Sequence, residues 1–358
     1  MSANPSTAML GLQELPKSPG VWASAWKRLK NDHVGMVAMV VTGLFIALVI
    51  LAQLGWVASN WQKEVGTPFA PPHFVGKIVD GSQTAVVEGV AGDNVDISAF
   101  DPLAPRYAEW AERASKFKSV VEVKSDTLPF GGDQLGRDVL SKVIKGAQVS
   151  ITVGLVAALF ATLIGTLLGA VAGYFGGKVG DLLEWVYNVF TSIPYILLMF
   201  TVAAVLKSGP LAKVLGSGVW TVIIILSVVG WTSIYRLVRA EYIKHRSREY
   251  VRAAEAIGAS HASRMFVHIL PNISHVVLVQ LSLYVVAFIK AEVILSFLGL
   301  GVPISMVSWG TMLSEAQNEL VQGIWWQLVA ATVFMATFVT AFALLTDALR
   351  DALDPKLR

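Results

Sequence analysis

Six stretches of this chain carry almost no charge, and polar, charge-rich segments separate them. Val34–Val57 has no Asp, Glu, Lys, Arg or His over 24 positions, Gly146–Gly177 none over 32, and Trp185–Leu206 and Val214–Tyr235 none over 22 each. Ile269–Ile289 contains only His275, and Leu320–Thr346 is free of charge for 27 residues. A helix rising 1.5 Å per residue needs about 20 apolar residues to cross ~30 Å of hydrocarbon. The pattern therefore predicts an all-α integral membrane protein with about six transmembrane helices.

An even number of spans puts both termini on one side, and the basic residues say which. Lys17, Lys27, Arg28 and Lys30 precede the first span, seven Lys or Arg lie between Arg236 and Arg264, and Arg350, Lys356 and Arg358 close the chain. The turn after the second span adds Lys178, whereas the short loops opposite carry only Lys207 and Lys213. Both ends are expected in the cytoplasm. The organisation is a leader (1–33), a first span (34–57), a long external loop (58–145), a five-helix transmembrane domain (146–347) and a cytoplasmic tail (348–358). The external loop has a helix-like piece around Arg106–Lys118. It reads either as a solvated spacer or as a cap that docks an extracytoplasmic partner, and we favour the cap.

Composition agrees with a bilayer protein: 54% apolar and 15% charged residues, with a mean hydropathy of +0.61, leave too little charge for a soluble surface. The net charge of +3 does not point to nucleic acid, because the basic residues sit between apolar blocks with no basic-aromatic groove. There is no cysteine, which excludes disulfides and thiolate metal sites. The first apolar block is too long for a cleavable signal. The histidines (His33, His73, His245, His261, His268, His275) form no metal-binding spacing, and no metal site is expected.

Two features concern packing. Gly165, Gly169, Gly173 and Gly177 recur every four residues in the second span, a stripe on which another helix backbone approaches closely. Pro194 in the third span frees a backbone carbonyl and predicts a kink, either a gating bend or a tolerated membrane proline.

The segment over 241–271, between the fourth and fifth spans, is the most informative. Tyr250, Ala253, Ala254 and Ile257 fall at helical spacing, Gly258 suits the left-handed position that ends a helix, Ser260 can cap a second short helix containing Met265 and Phe266, and Pro271 suits the first turn of the fifth span. Two short helices joined at a glycine form a cytoplasmic knob with an apolar face. By composition alone it is either a force-transmitting contact or an ordinary interfacial helix with snorkelling arginines.

The run Ala253-Ala254-x3-Gly258-x9-His268-x-Leu270-Pro271, with Ala259 following the glycine, resembles the coupling loop of bacterial ABC importer permeases. Arg252 and His268 stand where the general pattern has Glu and Ile, but the ending His-Ile-Leu-Pro-Asn is similar to the peptide and nickel branch. FGGDQLGRDVLSKVIKGAQVS (130–150), LSFLGLG (295–301), SWGTMLSEA (308–316) and the tail DALRDALDPKLR (347–358) resemble the C-type permease of oligopeptide and dipeptide importers. The resemblance implies a bacterial inner-membrane subunit importing short peptides and forming half of the pathway. Its partners would be a sister permease, two ATP-binding subunits and an extracytoplasmic solute-binding protein.

An ATP-driven importer needs a hydrolase, and no Gly-x4-Gly-Lys-Ser/Thr is present: Gly76-Lys77 and Gly177-Lys178 run into Ile78 and Val179. No cofactor is expected on this chain, ATP and Mg belonging to partner subunits, and no catalytic constellation appears. Lys290 and Glu292 interrupt the fifth span. Either they line the path of a charged peptide, or Lys290 snorkels outward while Glu292 packs against the sister subunit. A nickel-type substrate, an ion-gradient carrier and a membrane enzyme are the alternatives; the carrier predicts paired broken helices and inverted repeats.

Overall fold

A backbone in hydrocarbon has no partner for its N–H and C=O groups except itself, so apolar runs of this length become helices. The computed structural model describes residues 21–76, 102, 104–116, 124–208, 218–303 and 305–353. Lys17, Lys213, Lys356 and Arg358, and most of the external loop between 77 and 123, lie outside the described residues. Among the described residues there is no strand, only isolated bridges.

Helix α1 (Val21–Asn31) occupies the expected leader and meets α2 (His33–Gln53) at Asp32, whose carboxylate accepts from the N–H of Val34 at 3.0 Å. After a 3-10 turn at Ala104–Arg106 comes α3 (Tyr107–Lys116), close to the helical piece read around 106–118. Helix α4 (Val139–Phe175) begins seven residues before the charge-free window because Asp138 caps it, accepting from the N–H groups of Leu140 and Ser141. It is the central strut, packing against α2 and against six later helices.

Helices α5 (Gly177–Thr191) and α6 (Tyr195–Ser208) meet at 92°, and α7 (Val219–Gly230) and α8 (Thr232–Arg246) at 43°. Pro194 thus marks a full break rather than a kink. Its carbonyl accepts from Leu198, so the proline opens α6 where its missing N–H costs nothing. Helix α9 (Glu249–Ala256) and the short α10 (His261–Ser263) follow, then a π-helical stretch Arg264–Ile269, α11 (Leu270–Phe297), α12 (Trp309–Val321) and α13 (Trp326–Leu353). Four helices are long and apolar enough to cross a membrane, or six if each bent pair is one span, the number the windows predict. The last window ran across a turn: Leu320 belongs to α12, and Gly323 at φ +81° separates it from α13.

The glycine stripe packs against α8 within the same chain. A Cβ on Gly165 would stand 2.5 Å from the carbonyl oxygen of Trp231, one on Gly169 2.7 Å from that of Tyr235, and one on Gly173 2.6 Å from that of Arg239. Gly177 is not part of the stripe. Helix α4 has already ended at Gly176, and Gly177 (φ +49°) opens α5 with nothing within 4 Å of a Cβ.

At the N-terminal end of α4, residues of the external loop fold onto the α12–α13 hairpin. Segments around Glu64–Pro72 and Ser125–Arg137 bridge one another, and Trp326 Nε1 donates to the Gly132 carbonyl at 2.7 Å. At 37 residues, α4 separates this cap from its own far end by about 55 Å.

Candidate coupling site

At that far end sits the knob. Helix α9 ends in a Schellman motif: the N–H of Ala259 donates to the carbonyl of Ala254 and that of Gly258 to Glu255, both at 2.9 Å, with Gly258 at φ +84°. Ser260 then caps the next turn, accepting from the N–H of Ser263 at 3.2 Å. The glycine and serine assigned from sequence therefore hold the stop and the restart.

The second helix is not a separate short piece. From His261 to Phe297 the chain is helical throughout, so it runs straight into the fifth span. The register changes in the π stretch, where the N–H of Leu270 donates to the carbonyl of Met265. Pro271 has no N–H to give the carbonyl of Val267, which removes one α-helical bond at this point. The Met265 carbonyl also accepts from the hydroxyl of buried Tyr242 at 3.0 Å, and Asn272 Nδ2 donates to the His268 carbonyl at 2.6 Å. Such π turns concentrate at functional sites.

The predicted site residues divide by exposure. Tyr250, Arg252, Ala253, Gly258, Phe266 and Pro271 face outward, while Ala254 and Met265 are buried and Ala259, His268 and Leu270 lie between. Ile257 at the tip is 85% exposed and Val267 64%. The knob thus shows an apolar crown on a packed root.

One ion pair and a set of hydrogen bonds fix the root. Arg264, 8% exposed, reaches back across the Gly258 turn: Nη1 lies 2.6 Å from Glu255 Oε1 and Nη2 2.9 Å from His261 Nδ1. Its guanidinium lies 5.8 Å from the centre of the Tyr174 ring, whose hydroxyl is 3.0 Å from the same histidine nitrogen. Arg246 Nη1 donates to the Tyr174 carbonyl at 3.2 Å. Four elements (α4, α8, α9 and the α10–π segment) are joined here. Sequence reasoning missed Glu255, His261, Arg264, Tyr174 and Tyr242 in this role. The available signal was opposite charges at 255 and 264 on either side of a helix-stopping glycine.

Lys290 and Glu292 part company. Lys290 is exposed, whereas Glu292 is fully buried and does not pair with it. The Glu292 carboxylate accepts from Ser150 on α4 and from Ser296, each at 2.6 Å. Ser150 Oγ in turn accepts from the N–H of Trp309 and Ser296 Oγ from that of Val302, both at 3.1 Å. A carboxylate enclosed this way fastens α4, α11 and the start of α12 together and is closed to a passing solute.

A bundle of apolar spans around a glycine-lined strut, with a rooted, apolar-crowned knob at one end, is that of a multi-pass membrane protein. Residues 165–358 match the family model of the binding-protein-dependent transport system inner membrane component, and residues 20–72 match that of the N-terminal TM domain of oligopeptide transport permease C. The chain is 33% identical to the dipeptide transport system permease protein DppC of Bacillus subtilis over 93% of its own length and 85% of that protein's. It is 36% identical to the oligopeptide transport system permease protein OppC of Escherichia coli over 73% of this chain and 84% of that one. With OppC of Salmonella typhimurium the figures are 38%, 64% and 72%. The chain belongs to this family of inner-membrane transport components, as an oligopeptide/dipeptide ABC permease.

Proposed function

We propose that this chain is one of two permease subunits of an ATP-driven importer of short peptides, and that the knob formed by α9 and α10 receives the work of ATP hydrolysis. Its partners in this reading are a sister permease, two ATP-binding subunits that carry ATP and Mg, and an extracytoplasmic solute-binding protein. Both termini and the knob lie in the cytoplasm, where the basic residues concentrate. The exposed charge of Lys290 faces the peptide path.

One observation carries the proposal: an apolar crown, with Ile257 85% exposed, on a root tied to three other elements by one ion pair to α9 and by hydrogen bonds to α4 and α8. A contact that transmits force needs both, a face to be gripped and a base that does not yield. The supporting relatives are named as dipeptide and oligopeptide permeases.

Gly258 gives the test. Any L-residue at φ +84° is strained, but no atom lies within 4 Å of a Cβ there, so added bulk meets nothing inside the chain. Gly258→Ala and Gly258→Trp therefore share the strain and differ in what they present to a partner. The alanine variant should keep most peptide uptake. The tryptophan variant should insert normally yet lose coupling between ATP hydrolysis and uptake. Equal uptake by the two would refute the docking role.

A further inference from the structure

The joint between the external cap and the α12–α13 hairpin holds more negative than positive charge. Lys142 on α4, 1% exposed, gives its three ammonium protons to Asp133 Oδ2 at 2.7 Å, to Gln327 Oε1 at 3.1 Å and to Glu315 Oε2. Asp133, wholly buried, also receives Arg137, with Nε and Nη2 each 2.6 Å from Oδ2. Burial opposes the charge on Asp133, but Lys142 and Arg137 outweigh it and hold the carboxyl below its usual range. All three donors of the lysine are then spent.

Glu319, one turn beyond Glu315 on α12, gets none of them. It is 3% exposed, and neither carboxylate oxygen has a partner at full hydrogen-bond geometry; the Gln134 backbone makes only a weak approach. The groups facing it are Lys142 from α4, Asp133 and the backbone of Gln134 from the cap, and Glu315 from its own helix. Three carboxylates stand against two cations, and the third is buried with no cation bonded to it, only the more distant attraction of Lys142. An unpaired buried charge costs more than taking up a proton.

We propose that Glu319 is a proton-binding site: it is a carboxylic acid while the cap is seated on the hairpin, and its ionisation in alkaline medium loosens that seat. One proton balances the cluster, leaving Asp133 and Glu315 to Arg137 and Lys142. Desolvation pushes the Glu319 carboxyl up to about 7, against the repulsion-free value of 4.5 for an unfolded chain. The folded protein then holds a proton that the unfolded chain has released, so stability falls as pH rises between those two values and levels off above them.

The full-length protein in nanodiscs provides the test, and none of the readouts involves transport. The melting temperature of the native protein should drop by about 5 °C more than that of Glu319→Gln between roughly pH 5 and pH 8. The glutamine variant, neutral at every pH, should be the more stable of the two at the alkaline end. Infrared difference spectra should show a protonated-carboxyl stretch that titrates near neutrality and is lost in Glu319→Gln. Parallel melting curves, or no such band, would overturn the proposal. So would sodium or calcium restoring stability to the native protein alone at alkaline pH, because the site would then take a metal cation.

Discussion

Arg264 is the residue on which the stiffness of the knob is expected to turn. Arg264→Gln keeps most of the side-chain length and removes the charge. The pair with Glu255 is short, 2.6 Å, but that glutamate is 63% exposed, so solvent screens it to about 0.5 kcal/mol. The bond to His261 at 2.9 Å is worth about 1 kcal/mol, and the guanidinium near the Tyr174 ring about another 0.5. Together these make about 2 kcal/mol for the local opening of the whole knob, α9 with α10, from Arg264 and α4, or about 30-fold in the open population. Amide hydrogen exchange over residues 250–263 in the full-length protein measures that population. Arg264→Gln should speed it about 30-fold while leaving α13 unchanged, and Glu255→Gln, which loses only the screened pair, about twofold. A change below about threefold in Arg264→Gln, or equal effects of the two variants, would show that the root is held by something other than this arginine.

The glycine stripe predicts a sharp contrast along the spans. Gly169→Leu forces a side chain onto the Tyr235 carbonyl and should cost more than about 3 kcal/mol, read as loss of folded protein on detergent extraction. Gly43→Leu on α2, where a Cβ meets nothing within 4 Å, should extract normally; equal behaviour would refute the close-approach argument. At the cap, Lys142→Met takes one of two cations from buried Asp133 and the cation from part-exposed Glu315, and should destabilise by about 3 kcal/mol. Adding Glu315→Gln, which removes the carboxylate left without a cation, should recover part of that loss, and a double variant no better than the single one would argue against charge stranding.

How much of this was legible in the sequence follows from the rule that found the spans. A charge-free window detects a lipid-exposed helix, but it takes every charge for an end. Helix α4 was cut short because Lys142 and Lys145 stopped the window, although Lys142 proves to be buried and fully hydrogen-bonded. The converse error joined Leu320 to the last span, because the turn at Gly323 carries no charge. Pro194 announced its break, but the 92° between α5 and α6 depends on packing that no local signal encodes. In the knob, the stop at Gly258 and the cap at Ser260 are local chemistry and could be read directly. The Arg264 cluster joins residues from 174 to 264, and the partners of Glu292 include Ser150, 142 positions away; neither follows from periodicity.

The two polar assemblies also say which parts of the molecule can move. Helix α4 carries Lys142 near one end and Tyr174 near the other, so the cap joint and the root of the knob share one unbroken helix. Helix α11 continues from the knob through the π turn and is fastened to α4 by Glu292 and Ser150 near its other end. Along the stripe, α8 lies against α4 at backbone distance, leaving no room for a sliding motion that rotates a side chain between them. In the proposed coupling, a push on the crown would pass to α4, α8 and α11 as one body. Compliance is left to the joints where backbone bonds are already interrupted: the break at Pro194, the 43° bend at Trp231 and the π turn before Pro271. Motion in this permease is thus expected as rotation of a braced unit about those joints, with α5 held to α8 by the Glu184–Arg239 pair and the Tyr187–Tyr235 stack, and α6, beyond the Pro194 break, free to follow or to stay.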